Sequence, residues 1–201
     1  MTRLGLFGGT FDPPHFGHLL AAQEAAWQLD LERIVFLPAR QNPLKQHEVS
    51  SPADDRCEMV RLAIADNPSF ELSRLDLDRP PPSYTVDLLR ALQAPDRELF
   101  FLVGGDILPE LPRWHAPREI VRLARLVVVN RPGAPPIDLE VLERSLPGTR
   151  GRIHDLRIPG TDISSTDLRA RVRLGRPLRY FMPRAVERYI QAHHLYRSAA
   201  E

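Results

Sequence analysis

A doubly wound α/β fold, a parallel sheet with helices on both faces, is what this sequence predicts. Three observations carry that expectation. Short apolar runs alternate with helix-period segments along the chain. The runs are continuous rather than alternating, as in strands covered on both faces. The first run enters a helix directly through a turn rich in glycine and proline.

The elements follow in order. Leu4–Phe7 is the first strand, and Gly17–Leu29 carries a helical pattern after the turn. Ile34–Leu37 is the second strand. Pro52–Asp66 reads as a helix with Ser51 as N-cap and Pro52 at its first position. Phe70–Leu72 is a third strand, followed by a helix over Ser83–Leu92 with Val86, Leu89 and Leu92 on one face. Leu99–Val103 and Leu126–Val129 complete the recognisable strands. The stretch from Pro132 to Arg152 is weakly patterned and reads as a peripheral helix and loop. At Ile163-Ser164-Ser165-Thr166-Asp167-Leu168-Arg169, Ser164 suits an N-cap, with Ile163 and Leu168 as a hydrophobic staple. A last helix opens at Pro183 and carries Val186, Tyr189 and Ile190 on one face. The expected organisation is one Rossmann-like domain over residues 1–201, with a small helical part from about residue 163.

Composition narrows the partners. With 27 basic and 26 acidic residues the net charge is +1, which argues against a nucleic-acid backbone as main partner. The single cysteine, Cys57, permits neither an internal disulfide nor a cysteine metal site. No apolar run reaches the ~18 residues that span a bilayer. A soluble cytoplasmic protein, bound to no membrane, is expected, and a homo-oligomer is compatible with the sequence.

Ligands of such sheets bind beyond the carboxyl ends of the strands, so the chemistry is sought in the loops there. In Gly8-Gly9-Thr10-Phe11-Asp12-Pro13-Pro14-His15-Phe16-Gly17-His18, a strand-to-helix turn brings backbone amides and a helix dipole to one place, which suits a phosphate. His15 and His18, three apart, share one side of the first helical turn. A zinc pair is the other use of two histidines, but its usual helical spacing is four and no third ligand accompanies it. Lys45, in a polar loop after the second strand, suits a polyphosphate or plain solvent. Ser83-Tyr84-Thr85, after three prolines, makes either an anion-binding helix start or an ordinary capped one. Asp106, after Gly104-Gly105, suits ribose hydroxyls or a turn. Trp114 is either a lid on the core or a plate for an aromatic ring. Ser164, Ser165, Thr166 and Arg169 offer a second anion site or only a good cap. The turn lacks the G-x-x-x-x-G-K-S/T and G-x-G-x-x-G spacings, which disfavours a Walker NTPase and a dinucleotide oxidoreductase.

Together these residues carry a resemblance. The Gly9–His18 stretch matches the H-x-G-H signature of the nucleotidyltransferase superfamily, and Ile163–Arg169 resembles its second signature, I-S-S-T-x-x-R. With Pro82–Thr85, Gly105-Asp106 and Trp114, nearly the whole chain from Leu4 to Tyr196 resembles the bacterial nicotinate mononucleotide adenylyltransferases. The resemblance implies transfer of the adenylyl group of ATP to nicotinate mononucleotide, with pyrophosphate released. It implies that Gly8, Gly9, Thr10, Phe11, Ser164, Ser165 and Thr166 line the ATP site. It gives His15, His18, Lys45 and Arg169 the catalytic contacts to the phosphates. Tyr84, Thr85, Asp106 and Trp114 would then hold the pyridine nucleotide, and Mg²⁺ would arrive on the ATP phosphates, with no metal ligands of the protein's own. His115 stands where many of these proteins have an aromatic residue. An adenylyltransferase for nicotinamide mononucleotide or phosphopantetheine, and a nucleotide sensor without turnover, are the competing readings.

Overall fold

The computed structural model describes residues 1–40, 51–80, 82–130 and 137–197. Its six strands are β1 (Thr2–Gly9), β2 (Arg33–Pro38), β3 (Phe70–Leu72), β4 (Arg97–Gly104), β5 (Ala124–Asn130) and β6 (Ile153–Arg157). All pair in parallel in the order β3-β2-β1-β4-β5-β6. The helices are α1 (Phe16–Gln28), α2 (Ala53–Ile64), α3 (Thr85–Leu92), α4 (Pro117–Leu123), α5 (Leu139–Ser145), α6 (Ser165–Arg173) and α7 (Arg184–Ala192). The chain lays β1 to β3 outward in one direction, then returns to place β4 on the other side of β1. At that reversal the loops leaving β1 and β4 part, and a crevice opens beyond their carboxyl ends.

The continuous apolar runs have their expected cause. Along β4, Phe100 and Leu102 point into one core, with Ala22 and Ala25 of α1, Met59 and Val60 of α2, Leu168 of α6 and Val186 of α7. Leu99, Phe101 and Val103 point into the other, with Val86 and Leu89 of α3, Ile120 of α4 and Leu142 of α5. A strand buried on both faces has no polar side to alternate with. Among the described residues no helix is long and apolar enough to cross a membrane.

Several boundaries differ from expectation. The sixth strand, Ile153–Arg157, has no continuous apolar run: it is an edge strand, and only Leu156 is fully buried there. Between β4 and β5, Leu108–Arg113 forms a 3₁₀ turn and Pro117 is the first residue of α4. Ser51 does not cap α2; Pro52 occupies that place, and the Ser51 amide donates to Asp12 Oδ2 at 3.0 Å. Ser83 does not cap α3 either: Tyr84 is the N-cap, and the Ser83 hydroxyl donates to the Asp76 carboxylate. An ionised acceptor holds a hydroxyl more strongly than a neutral partner does, so the carboxylate wins. Ser164 does cap α6, its Oγ accepting the Asp167 amide at 3.1 Å, with Leu168 fully buried and Ile163 packed on the same core. In the weakly patterned region, one side chain of α5 holds the turn that follows the helix. Glu143 accepts from the Gly148 and Arg150 amides and the Thr149 hydroxyl, and these bonds draw its pKa down to about 2.

Candidate active site

The turn after β1 is shaped by packing. Phe11 takes the left-handed conformation, φ 50°, and buries its ring against Phe7 and His18, with centroids 5.4 and 5.1 Å apart. The ring lies so close beneath Gly9 that a Cβ there would stand 3.0–3.2 Å from it. A cis Asp12–Pro13 bond follows, and α1 begins at Phe16. His15 is the N-cap of α1 and is 5% exposed; His18 is at the third helical position. Their rings lie 3.8 Å apart at 31°. A Cβ on Gly17 would come within 3.0 Å of the His15 imidazole, so the glycine between the histidines leaves room for that stack. The His15 backbone N–H donates to His18 Nδ1 at 3.2 Å. The neutral His18 ring therefore carries its proton on Nε2, as a donor.

The second signature is docked on the first. Ser165 Oγ donates to the Pro13 carbonyl at 2.8 Å across 152 residues. Arg169 Nη1 donates to the Asp12 carbonyl at 2.8 Å across 157 residues, and its Nη2 reaches Thr166 Oγ1 at 3.3 Å. The amide of Phe16 is taken by the Phe181 carbonyl at 3.0 Å. The expected residues Gly8–Phe11, His15, His18, Ser164–Thr166 and Arg169 thus gather at one end of β1. Lys45 lies outside the described residues.

Beneath this turn is a buried polar cluster that sequence reasoning missed. Arg56 of α2 is 2% exposed, and its guanidinium donates to the carbonyls of Thr10, Ala39 and Ser51 at 2.7–3.0 Å. Burial lowers its pKa from the ordinary arginine value, and Asp12 opposes that shift. Asp12, 3% exposed, accepts the Ser51 amide on one oxygen and the Tyr196 hydroxyl, at 2.6 Å, on the other. Asp12 lies inside the first motif, where it was open to notice. Arg56 and Tyr196 give no local signal, since a charge on an amphipathic helix ordinarily faces water.

A cleft of about 520 Å³ opens on the other side of Gly8–Thr10, between β1 and β4. Thr85, Tyr84, Trp114 and His115 line it, with Asp76 and Ser83 at one wall. Trp114 packs edge-on against Phe101, with centroids 6.3 Å apart, and its indole N–H is buried without a hydrogen-bond partner among the described residues. A buried donor in that condition calls for an acceptor from a ligand or water. The His115 imidazole stacks on Tyr84 at 4.2 Å and 23°, so that ring already has an aromatic neighbour. The start of α3 has no side-chain cap, which leaves first-turn amides to the cleft. Asp106 is exposed in the turn after β4, as expected, but is not among the residues lining the cleft. Among the described residues there is no cluster of three or more His, Cys, Asp or Glu fit for a metal ion.

A parallel sheet with a strand-to-helix phosphate turn and a second helix start clasped to it defines a nucleotide-binding transferase fold. The chain belongs to the cytidylyltransferase-like family, whose sequence model matches residues 6–171. A Roseiflexus sp. (strain RS-1) protein named "Probable nicotinate-nucleotide adenylyltransferase" is 49% identical over 195 residues, covering 96% of this chain and 98% of that protein. A Thermus thermophilus protein of the same name is 48% identical over 198 residues, 97% and 100% of the two chains. Among solved structures, the Plasmodium falciparum nicotinic acid mononucleotide adenylyltransferase complexed with NaAD superposes with a TM-score of 0.79 at 19% identity, over 98% of each chain. That likeness establishes the Rossmann-like fold.

The partly buried Tyr196 makes the fold sensitive to alkali. Burial, and then the Asp12 charge, push the Tyr196 pKa far above the ordinary tyrosine value; burial and the bond to Asp55 raise Tyr189 to about 12. Above about pH 10 the unfolded chain gives up these protons before the folded one does, so stability is full below that pH and is lost as pH rises through the folded values. Denaturation midpoints are expected to fall between about pH 9 and pH 11, with a shallower fall in Tyr196→Phe. A variant with the wild-type slope would show that Tyr196 is not the group responsible.

Proposed function

We propose that this chain transfers the adenylyl group of ATP to nicotinate mononucleotide, forming nicotinate adenine dinucleotide and pyrophosphate in NAD biosynthesis. The observation that carries the proposal is the clasp of Ser165 and Arg169 onto the His15–His18 turn, beside a cleft lined by Thr85 and Trp114. The names of the relatives at 48–49% identity agree with it.

In the reaction a phosphate oxygen of the mononucleotide attacks the α-phosphorus of ATP, and the bond to pyrophosphate breaks. Such a displacement needs alignment and charge neutralisation more than a covalent nucleophile. Gly8–Thr10 stand between the two halves of the site and receive the α-phosphate on backbone amides. His18, fixed as an Nε2 donor by the His15 amide, and His15 beside it stabilise charge that grows on the phosphate oxygens. Arg169 holds the departing pyrophosphate, with Ser164, Ser165 and Thr166 adding hydroxyls and first-turn amides of α6. Lys45 takes the same task by its place in the sequence pattern. These are cations and N–H or O–H donors rather than carboxylates. The set fits a triphosphate that brings Mg²⁺ with it, the ion supplying further charge neutralisation through phosphate and water ligands.

Acceptor choice falls to the cleft. Trp114 stacks on the pyridine ring, and the uncapped start of α3 at Tyr84 and Thr85 receives the nicotinate carboxylate. A carboxamide would bring its own N–H donors to a place that already supplies donors, so the acid is preferred. Asp106 takes the ribose hydroxyls. Reliance on ATP and the buried free Cys57 suit the reducing cytoplasm.

The direct test is pyrophosphate release with Mg²⁺ and ATP, measured side by side with the acid and the amide nucleotide. Faster turnover of the acid is expected; ATP binding without pyrophosphate would instead mark a sensor. His18→Ala is expected to lower kcat by about two orders of magnitude with the fold intact, the scale of one lost transition-state donor. Turnover near that of the parent would remove His18 from the mechanism. Trp114→Ala and Thr85→Ala should each raise the KM for the pyridine nucleotide far more than that for ATP. Equal effects on the two Michaelis constants would place the acceptor elsewhere.

A further inference from the structure

Asp76 is buried, 5% exposed, in the segment between β3 and α3, and neither signature includes it. Each of its oxygens is committed. Oδ2 accepts the backbone N–H of Arg40 at 2.9 Å, and Oδ1 accepts the hydroxyl of Ser83. The Arg40 side chain returns to the same segment, donating to the Leu77 and Arg79 carbonyls at 2.8 Å. Arg40 follows Ala39, whose amide donates to the Gly9 carbonyl at 2.8 Å. A hydrogen-bonded line therefore runs from the phosphate turn at Gly9, through the end of β2, to the residue before the α3 N-cap.

Ser83 directly precedes the α3 N-cap, Tyr84, and an unengaged serine beside a helix start turns to the first-turn amides. Here the carboxylate holds it away. We propose that Asp76 is a positioning residue for the acceptor: by engaging Ser83 it keeps the start of α3 uncapped and open to an anionic group, and through Arg40 it sets that start at a fixed distance from the phosphate turn. The ligand class concerned is a nucleotide whose base carries a carboxylate. The inference rests on the adenylyl-transfer reading above and deepens its account of acceptor choice.

Asp76→Ala leaves Ser83 without its partner, and the hydroxyl falls back on the helix start. The KM for nicotinate mononucleotide is expected to rise about tenfold, the effect of one charge-assisted hydrogen bond, and the acid-over-amide preference to shrink with it. The KM for ATP is expected to stay within about twofold, a change worth little free energy. Removing the competing hydroxyl as well, in Asp76→Ala/Ser83→Ala, should restore much of the acceptor affinity. Ser83→Ala alone should bind the acid at least as well as the parent. A purely architectural Asp76 predicts the opposite: the double variant would be no better than Asp76→Ala, and both Michaelis constants would rise together. Either result overturns the proposal. So does weakened acid binding in Ser83→Ala, which decides the matter even should the Asp76 variants fail to fold. Thermal midpoints accompany each assay. A parent enzyme that releases no pyrophosphate would count against the adenylyl-transfer reading itself and is scored separately.

Discussion

The site depends on a buried guanidinium. Arg56 gathers the carbonyls of Thr10, Ala39 and Ser51, and so ties the paired ends of β1 and β2 to the segment that opens α2. An arginine suits the task because its planar fork of donors reaches several acceptors at once without losing its charge. Its removal from water is costly. The three carbonyls and the neighbouring Asp12 charge offset that cost only when all are in place. The phosphate turn is therefore shaped from below, by a helix on the face of the sheet opposite the acceptor cleft, and its upper surface stays available for ligands.

In the proposed reaction one short segment serves both nucleotides. Gly8–Thr10 form a wall of the cleft at β4 and lead directly into the histidine pair. Displacement at phosphorus needs the attacking oxygen in line with the leaving one and in direct reach of the phosphorus, so in the proposed reaction the two nucleotides meet over this segment with nothing between them. Backbone with little side chain leaves room for that approach. The strand order supplies the space on either side of it, because the loops leaving β1 and β4 diverge there.

Much of this was legible in the sequence. The strands of the sheet interior announced themselves because burial on both faces leaves long apolar runs, as in Leu99–Val103. The edge strand Ile153–Arg157 did not, since half its side chains meet solvent and its composition resembles a loop. The two signatures were readable as motifs, and Ser164 as a cap, because each is a local device with a fixed residue pattern. Ser51 and Ser83 were read as caps for the same reason, and there the local rule lost. Each neighbours a buried carboxylate outside its own helix start, Asp12 from a distant segment in one case and Asp76 from the same connection in the other. Arg56 and Tyr196 were beyond reach because the partners that give them meaning lie mostly in other segments of the chain.

The bond from Tyr196 to Asp12 spans 184 residues, and those from Ser165 and Arg169 to the same turn span more than 150. During synthesis the histidine motif emerges more than 150 residues before its final contacts exist. Pairings of such separation are slow to close, because a long loop must be ordered before any contact repays it. A nascent fragment that has already built the β1–β3 half of the sheet would still have an unfinished nucleotide pocket. The clasp on this turn thus waits for residues 165–196, and a translation product arrested before them would be a partly folded sheet without it.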